Sequence, residues 1–181
     1  MVPVGIKWFL LFLPLFYPIN FINLVSTLAF NSKGLLVSDS YISISLVDFE
    51  STFVTDFPTS KTRQKIYENY IAYSDELKKL LNLSDIKQWV DGSYVTKVIN
   101  PKDIDFVTFI DEKIFLKYQN DLDSFKNKNW FDLNIDAYFV IEKEGHCFES
   151  DKLYWLHHFS KTRNNSRTGK RLKKGFVEIN H

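Results

Sequence analysis

The chain has 181 residues, the size of one domain, and its 23 Lys+Arg nearly cancel its 22 Asp+Glu. An apolar content of 45% with 17% aromatic residues can bury a core, which excludes a disordered chain. The single cysteine, Cys147, excludes a disulfide scaffold, and the charge balance excludes a bulk polycation that holds nucleic acid by charge alone.

The balance is uneven along the chain. Residues 1–30 carry one charge, Lys7, and 21 of them are apolar. The uncharged run between Lys7 and Lys33 is 25 residues, and about 20 apolar residues can span a bilayer. Lys7 followed by Trp8–Phe16 also has the order of a signal peptide, with Thr27-Leu28-Ala29 as a small-residue cleavage candidate. Pro14, Pro18, Asn20 and Asn23 oppose both readings. A third reading is a start codon placed too early. Residues 1–29 are therefore set apart as an extension and residues 30–181 as the domain. The domain is expected in the cytoplasm, or at a membrane if residues 8–29 are an anchor.

In the domain, Asn31–Ser40 reads as loop and Val47–Phe53 as a small helix. Pro58-Thr59-Ser60 reads as a helix start with Thr59 or Ser60 as cap. The clearest helix is Thr62–Leu81, where Ile66, Tyr70, Tyr73, Leu77 and Leu80 recur on one face. A strand follows at Ile86–Asp91. Asp103–Ile110 alternates as a second strand, Asp103, Asp105 and Val107 facing one way and Ile104, Phe106 and Thr108 the other. Glu112–Phe125 reads as one helix, Leu133–Ile141 as a third strand, Asp151–Lys161 as a helix and Gly175–Asn180 as a last strand. Strands and helices intermix, so the class is α/β or α+β: a small mixed sheet flanked by helices.

The chemistry concentrates where the first strand ends in Gly92-Ser93 and the second opens with Asp103-Ile104-Asp105. Side chains two apart on a strand share a face, so the two carboxylates converge and repel. A hard divalent cation relieves that repulsion, and Mg²⁺ is typically held by one or two carboxylates plus substrate phosphates. Gly92 admits close approach to the backbone, and Ser93 offers a hydroxyl donor. Asp136, inside the otherwise apolar third strand, needs a partner or a metal unless its face is solvated. If the third strand pairs beside the second, Asp136 joins the other two.

This order resembles the nucleotidyltransferase superfamily, the fold shared with polymerase-beta-like enzymes: Gly-Ser, about ten residues, Asp-x-Asp, then an acid on a following strand. It is similar, more narrowly, to small bacterial proteins with a Gly-Ser-Tyr/Phe-Val-Thr-Lys core, and the likeness runs from about Phe30 to the closing Lys174–Ile179. The resemblance implies transfer of a nucleoside monophosphate from an NTP to a protein or RNA acceptor. It implies that Gly92, Ser93 and Lys97 hold the nucleotide, that Asp103 and Asp105 bind two Mg²⁺ ions, and that Asp136 completes the site and activates the acceptor. Minimal members that act as antitoxins modify a partner toxin; they typically carry Ala-Arg where this chain has Thr96-Lys97. The alternative implied is an inactive binding protein of this fold, antitoxin-like or part of a defence system.

Between Lys161 and Lys174 lie seven basic residues and no acid. This segment reads as a clamp for triphosphate, tRNA or an acidic partner, or as a solvated mobile loop. His157-His158 and His146-Cys147 lack zinc-site spacing and read as structural. Tyr67, Tyr70 and Tyr73 read as core or interface.

Overall fold

The computed structural model describes residues 28–126, 128–143 and 146–181, the last segment without the side chains of 146–148. Residues 1–27 of the apolar extension, Gly145 and the Cys147 side chain therefore lie outside the described residues. Among those described, no helix is long and apolar enough to cross a membrane.

The chain runs β1 (Tyr41–Ile44), α1 (Leu46–Glu50) continuing into a π-helical turn (Ser51–Thr55), α2 (Arg63–Leu81), β2 (Lys87–Asp91) and β3 (Ile104–Asp111). It continues through α3 (Glu112–Lys117), α4 (Gln119–Lys126), a 3₁₀ turn (Phe131–Leu133), β4 (Ile135–Glu142), α5 (His146–Phe159) and β5 (Phe176–Asn180). The described residues form an α+β fold around one five-stranded mixed sheet of order β1-β5-β2-β3-β4. β2 is antiparallel to both β5 and β3, while β1–β5 and β3–β4 are parallel pairs.

The period-2 pattern sorts the sheet into two faces. One face, carrying Val90, Ile104, Phe106, Ile135, Val177 and Ile179, is sealed by α1, the π turn, α2 and α4. The predicted stripe of α2 supplies the cover: Ile66, Tyr70, Tyr73 and Leu77 are buried, and Tyr73 packs edge-on to Phe106 at 5.1 Å. Each such side chain stabilises the fold by about 1.5–3 kcal/mol. Leu80 is only half-buried, and Leu81 takes the last core position. The buried polar atoms on this face satisfy one another. The Tyr70 hydroxyl donates to Gln88 Oε1 at 2.7 Å, and Gln88 Nε2 donates to Thr108 Oγ1 at 2.9 Å. The N-cap position of α2 is Thr62 rather than Thr59 or Ser60, though Ser60 Oγ still accepts from the Arg63 N–H at 3.2 Å.

The other face is covered in part. α5 packs Phe159, Trp155 and Leu156 over Trp89, Val107, Phe109, Val140 and Phe176. Beyond the end of α5 this face stays polar.

Three expectations change. Helix Glu112–Phe125 breaks at Tyr118, which leaves helical geometry at φ −112°, ψ 19°. Asp111 starts α3 directly from β3 by accepting from the Lys113 and Ile114 N–H groups, and α3 only half-buries Ile114 and Phe115 against the core. The chain must turn before Leu122 and Phe125 of α4 can reach the core. The helix expected at Asp151–Lys161 begins earlier, at His146, and the third strand starts at Ile135 because Asn134 takes a left-handed conformation, φ 64°. Tyr41–Ile44, left unassigned in sequence, forms edge strand β1 beside β5.

Candidate functional site

Strand register builds the site. Asp91 at the end of β2 pairs with Asp105 of β3, and Asp105 pairs with Asp136 of β4. Cross-strand partners share a face. Three aspartates therefore stand in one row on the partly covered face, with Asp103 one step before β3. The expected pairing of the third strand beside the second is thus present, and it brings Asp136 next to Asp105.

The row is not electrically uniform. Asp91 is buried, and its carboxylate accepts from Lys174 Nζ; the two side chains are 8% and 6% exposed. Burial pushes the Asp91 carboxyl up, and Lys174 and the Gly92 backbone N–H pull it back. Asp105 is 16% exposed, and its pKa is pushed up to about 6. Burial is the largest cause; the charges of Asp103, Asp91 and Asp136 add to it, and Arg163 opposes them. Arg163 Nη2 lies 3.6 Å from Asp105 Oδ1 but is 89% exposed, so this contact compensates weakly. Tyr138, two residues on along β4, shares this face with Asp136, and burial and the Asp136 charge push its hydroxyl pKa up.

Gly92 explains how the row packs. Its φ is +80°, and a Cβ there would fall 1.8 Å from Asp105 Oδ2. The hydrogen at this position makes room for the Asp105 carboxylate, in a left-handed conformation that other residues resist. After Gly92 the chain turns rather than extends. Thr96 Oγ1 donates to the Ser93 carbonyl at 2.7 Å, and Tyr94 and Val95 point into the sealed core.

Arg63 holds that turn. The side chain is fully buried and, among the described residues, has no carboxylate partner. Its guanidinium donates to the carbonyls of Phe53 (2.8 Å), Tyr94 (2.7 Å), Thr96 (2.8 Å) and Val98 (2.6 Å). The Tyr94 hydroxyl returns a bond to the Arg63 carbonyl at 2.9 Å. Burial lowers the Arg63 pKa to about 10, still charged at neutral pH.

Asp91, Asp103 and Asp105 open onto a cavity of about 470 Å³. Gly92, Ser93, Thr96, Asp103 and Asp105 line one side; Lys161, Arg163, Arg171 and Lys174 line the other. The basic residues come from a hairpin between α5 and β5. Lys161 and Lys173 bridge its root, Thr162 N–H donates to Leu172 at 2.8 Å, and Asn165 N–H donates to Lys170 at 3.1 Å. The segment read in sequence as either clamp or solvated loop is this hairpin.

Gly92, Ser93, Asp103 and Asp105 are thus brought together. Asp136 adjoins Asp105 but is not part of the cavity wall. Lys97 is turned away: its ammonium lies over the Phe30 ring at 4.4 Å and the Phe57 ring at 5.2 Å, outside the cavity. Among the described residues no three His, Cys, Asp or Glu side chains stand close enough to hold a metal ion by themselves. The donor set that fits a cation is the pair Asp103 and Asp105, which is the number of carboxylates Mg²⁺ typically takes when phosphate oxygens complete its shell. Sequence reasoning missed Asp91 and Arg63, and it placed Lys174 in the basic clamp without its pairing to Asp91. The only signals were an acid immediately before Gly-Ser and a cation immediately before the last strand.

Fold and site define an α+β domain whose sheet is sealed on one face and carries an aspartate row, a cavity and a cationic hairpin on the other. The model of a family of unknown function, DUF6932, matches residues 28–180, and the chain belongs to that family. No curated protein and no solved structure matches it.

Proposed function

We propose that this protein is a metal-dependent nucleotidyltransferase that uses the aspartate row to move a nucleoside monophosphate from an NTP to an acceptor. The observation that carries the reading is Asp105: packed on Gly92, crowded by three other carboxylates, with its one cationic contact exposed. A site with surplus negative charge on one wall and arginines on the other suits a metal-bound polyphosphate.

Asp103 and Asp105 would hold the metal, which when bound neutralises charge on the attacking and leaving oxygens. Ser93 donates its hydroxyl to a phosphate oxygen from the turn fixed by Arg63. Arg163, released from Asp105, and Arg171 meet the remaining phosphate charge. Lys174 neutralises Asp91, so the floor beneath Gly92 does not repel the ligand. Asp136, beside Asp105 in the row, is the base for the acceptor's proton; as the acceptor oxygen bonds the α-phosphorus, the α–β phosphoanhydride bond breaks and pyrophosphate leaves.

The test is incubation with labelled NTPs, Mg²⁺ and cell extract as acceptor source. Label should appear on a macromolecule, and Asp103→Ala combined with Asp105→Ala should abolish it. Transfer that survives the double substitution overturns the site assignment. Mg²⁺-dependent NTP binding without transfer points instead to the inactive, partner-binding form.

A further inference from the structure

The hairpin and the end of α5 present a surface that the transfer chemistry does not require. Among the described residues, Lys161, Arg167, Lys170 and Arg171 have no carboxylate partner. Lys161, Arg163 and Arg171 border the cavity, whereas Arg167 and Lys170 sit at the exposed tip beyond it. The tip is shaped by Asn165, whose Oδ1 accepts from the Arg167 and Thr168 N–H groups at 3.0 Å, and by Gly169 at φ +64°. Asn164 accepts from Arg171 Nε at 2.8 Å and holds that guanidinium on the cavity side.

Aromatic rings stand at the root of this hairpin. Tyr154 is 59% exposed and stacks on His158, with ring planes 12° apart and centroids 5.7 Å apart. His158 borders the cavity. The strip continues through half-buried Trp155, 4.8 Å from Tyr138, which is exposed and shares a strand face with Asp136. Of the acids of α5, Glu149 lies toward its other end, and Asp151 stands one turn before Tyr154. Exposed flat rings therefore run from the aspartate row to the foot of a cationic hairpin.

From this juxtaposition we infer that the α5–β5 edge binds a single-stranded nucleic acid, its bases on Tyr154 and its phosphates along the hairpin. Single-strand sites combine a cationic track with aromatic stacking platforms, because every base has a π-face. An acidic peptide would meet the charges but has no use for the rings. The surface supplies an acceptor class for the proposed transfer and to that extent rests on it; the binding itself needs neither metal nor NTP.

The experiment is fluorescence anisotropy with labelled RNA and DNA strands about ten nucleotides long, inorganic polyphosphate and polyglutamate serving as competitors across a salt series. Both strands should bind with salt-dependent affinity, and the tighter of the two identifies the acceptor chemistry. Arg167→Ala with Lys170→Ala should reduce the slope of log affinity against log salt by about 1. Tyr154→Ala should weaken strand binding about fivefold or more while leaving competition by polyphosphate unchanged. Asp103→Ala with Asp105→Ala should keep strand binding even though transfer is lost, which separates this inference from the catalytic one. Three results overturn it: no binding at low salt, equal competition by polyglutamate, or a Tyr154→Ala protein that melts normally and binds strands like the parent.

Discussion

The two faces of the sheet each bury one cation, and they do so differently. On the sealed face Arg63 is surrounded by backbone carbonyls and, among the described residues, has no counter-ion. Those carbonyls belong to the π turn and to the loop after Gly92, so the charge serves to fix chain path. On the other face Lys174 meets a carboxylate, Asp91, at the edge of a cavity. There the cation offsets one acid in a row of three and leaves Asp105 under-compensated. One face spends its polar groups on shape, and the other retains charge for a ligand.

Removing the two cations should expose this difference. Lys174→Met leaves Asp91 buried and unpaired, and should cost about 3–5 kcal/mol. Adding Asp91→Asn should restore much of that loss, because the fault is a surplus charge. Arg63→Met should cost at least about 3 kcal/mol by orphaning four carbonyls, and no single neutralisation can repair it. Denaturant melts of the four proteins check both statements. Equal rescue of both variants, or of neither, would erase the contrast.

Asp105 tests the under-compensated face from the opposite direction. Its carboxyl is raised from 3.8 to about 6, so between those values the folded state holds a proton that the unfolded state has lost. Its contribution to stability is therefore greatest below the unfolded pKa and is lost as pH rises through about 6. Asp105→Asn should then stabilise the metal-free protein at neutral pH by up to about 3 kcal/mol, with the gain fading toward pH 4. His181 works against this trend. Its pKa is lowered by burial to about 4, so the neutral ring contributes stability above 6.5 that is lost as pH falls through about 4. Only the difference between parent and Asp105→Asn melts isolates the aspartate. A variant less stable than the parent at pH 7 in chelator would contradict the charge balance drawn for this row.

What could be read from the sequence follows from how local each signal is. The α2 stripe and the alternation of β3 are periodic over many residues, and both lie where expected. Ser93 and the Asp103–Asp105 pair converge because the turn and β3 are contiguous in sequence. β1 escaped because four residues at a sheet edge carry too short an alternation. The break at Tyr118 depends on where α3 points after β3, which no periodicity encodes. Asp91 and Lys174 lie 83 residues apart, so their pairing appears only once β2 and β5 are neighbours. Arg63 resembles an ordinary surface cation near a helix start; its burial depends on two loops folding over it. Lys97 lies outside the cavity for a similar reason: the turn after Thr96 sends it to Phe30 and Phe57.

The central claim is that the aspartate row binds a metal-bound nucleotide, and the most direct measurement is thermal melting with NTP and Mg²⁺ present singly and together. A ligand at about 100 times its Kd adds about 2.7 kcal/mol, or roughly 5–10 °C for a chain of this size. The account predicts that shift only when NTP and Mg²⁺ are both present, and its loss in the Asp103→Ala, Asp105→Ala protein. The same shift in that double variant, or no shift with any NTP and Mg²⁺, would contradict it.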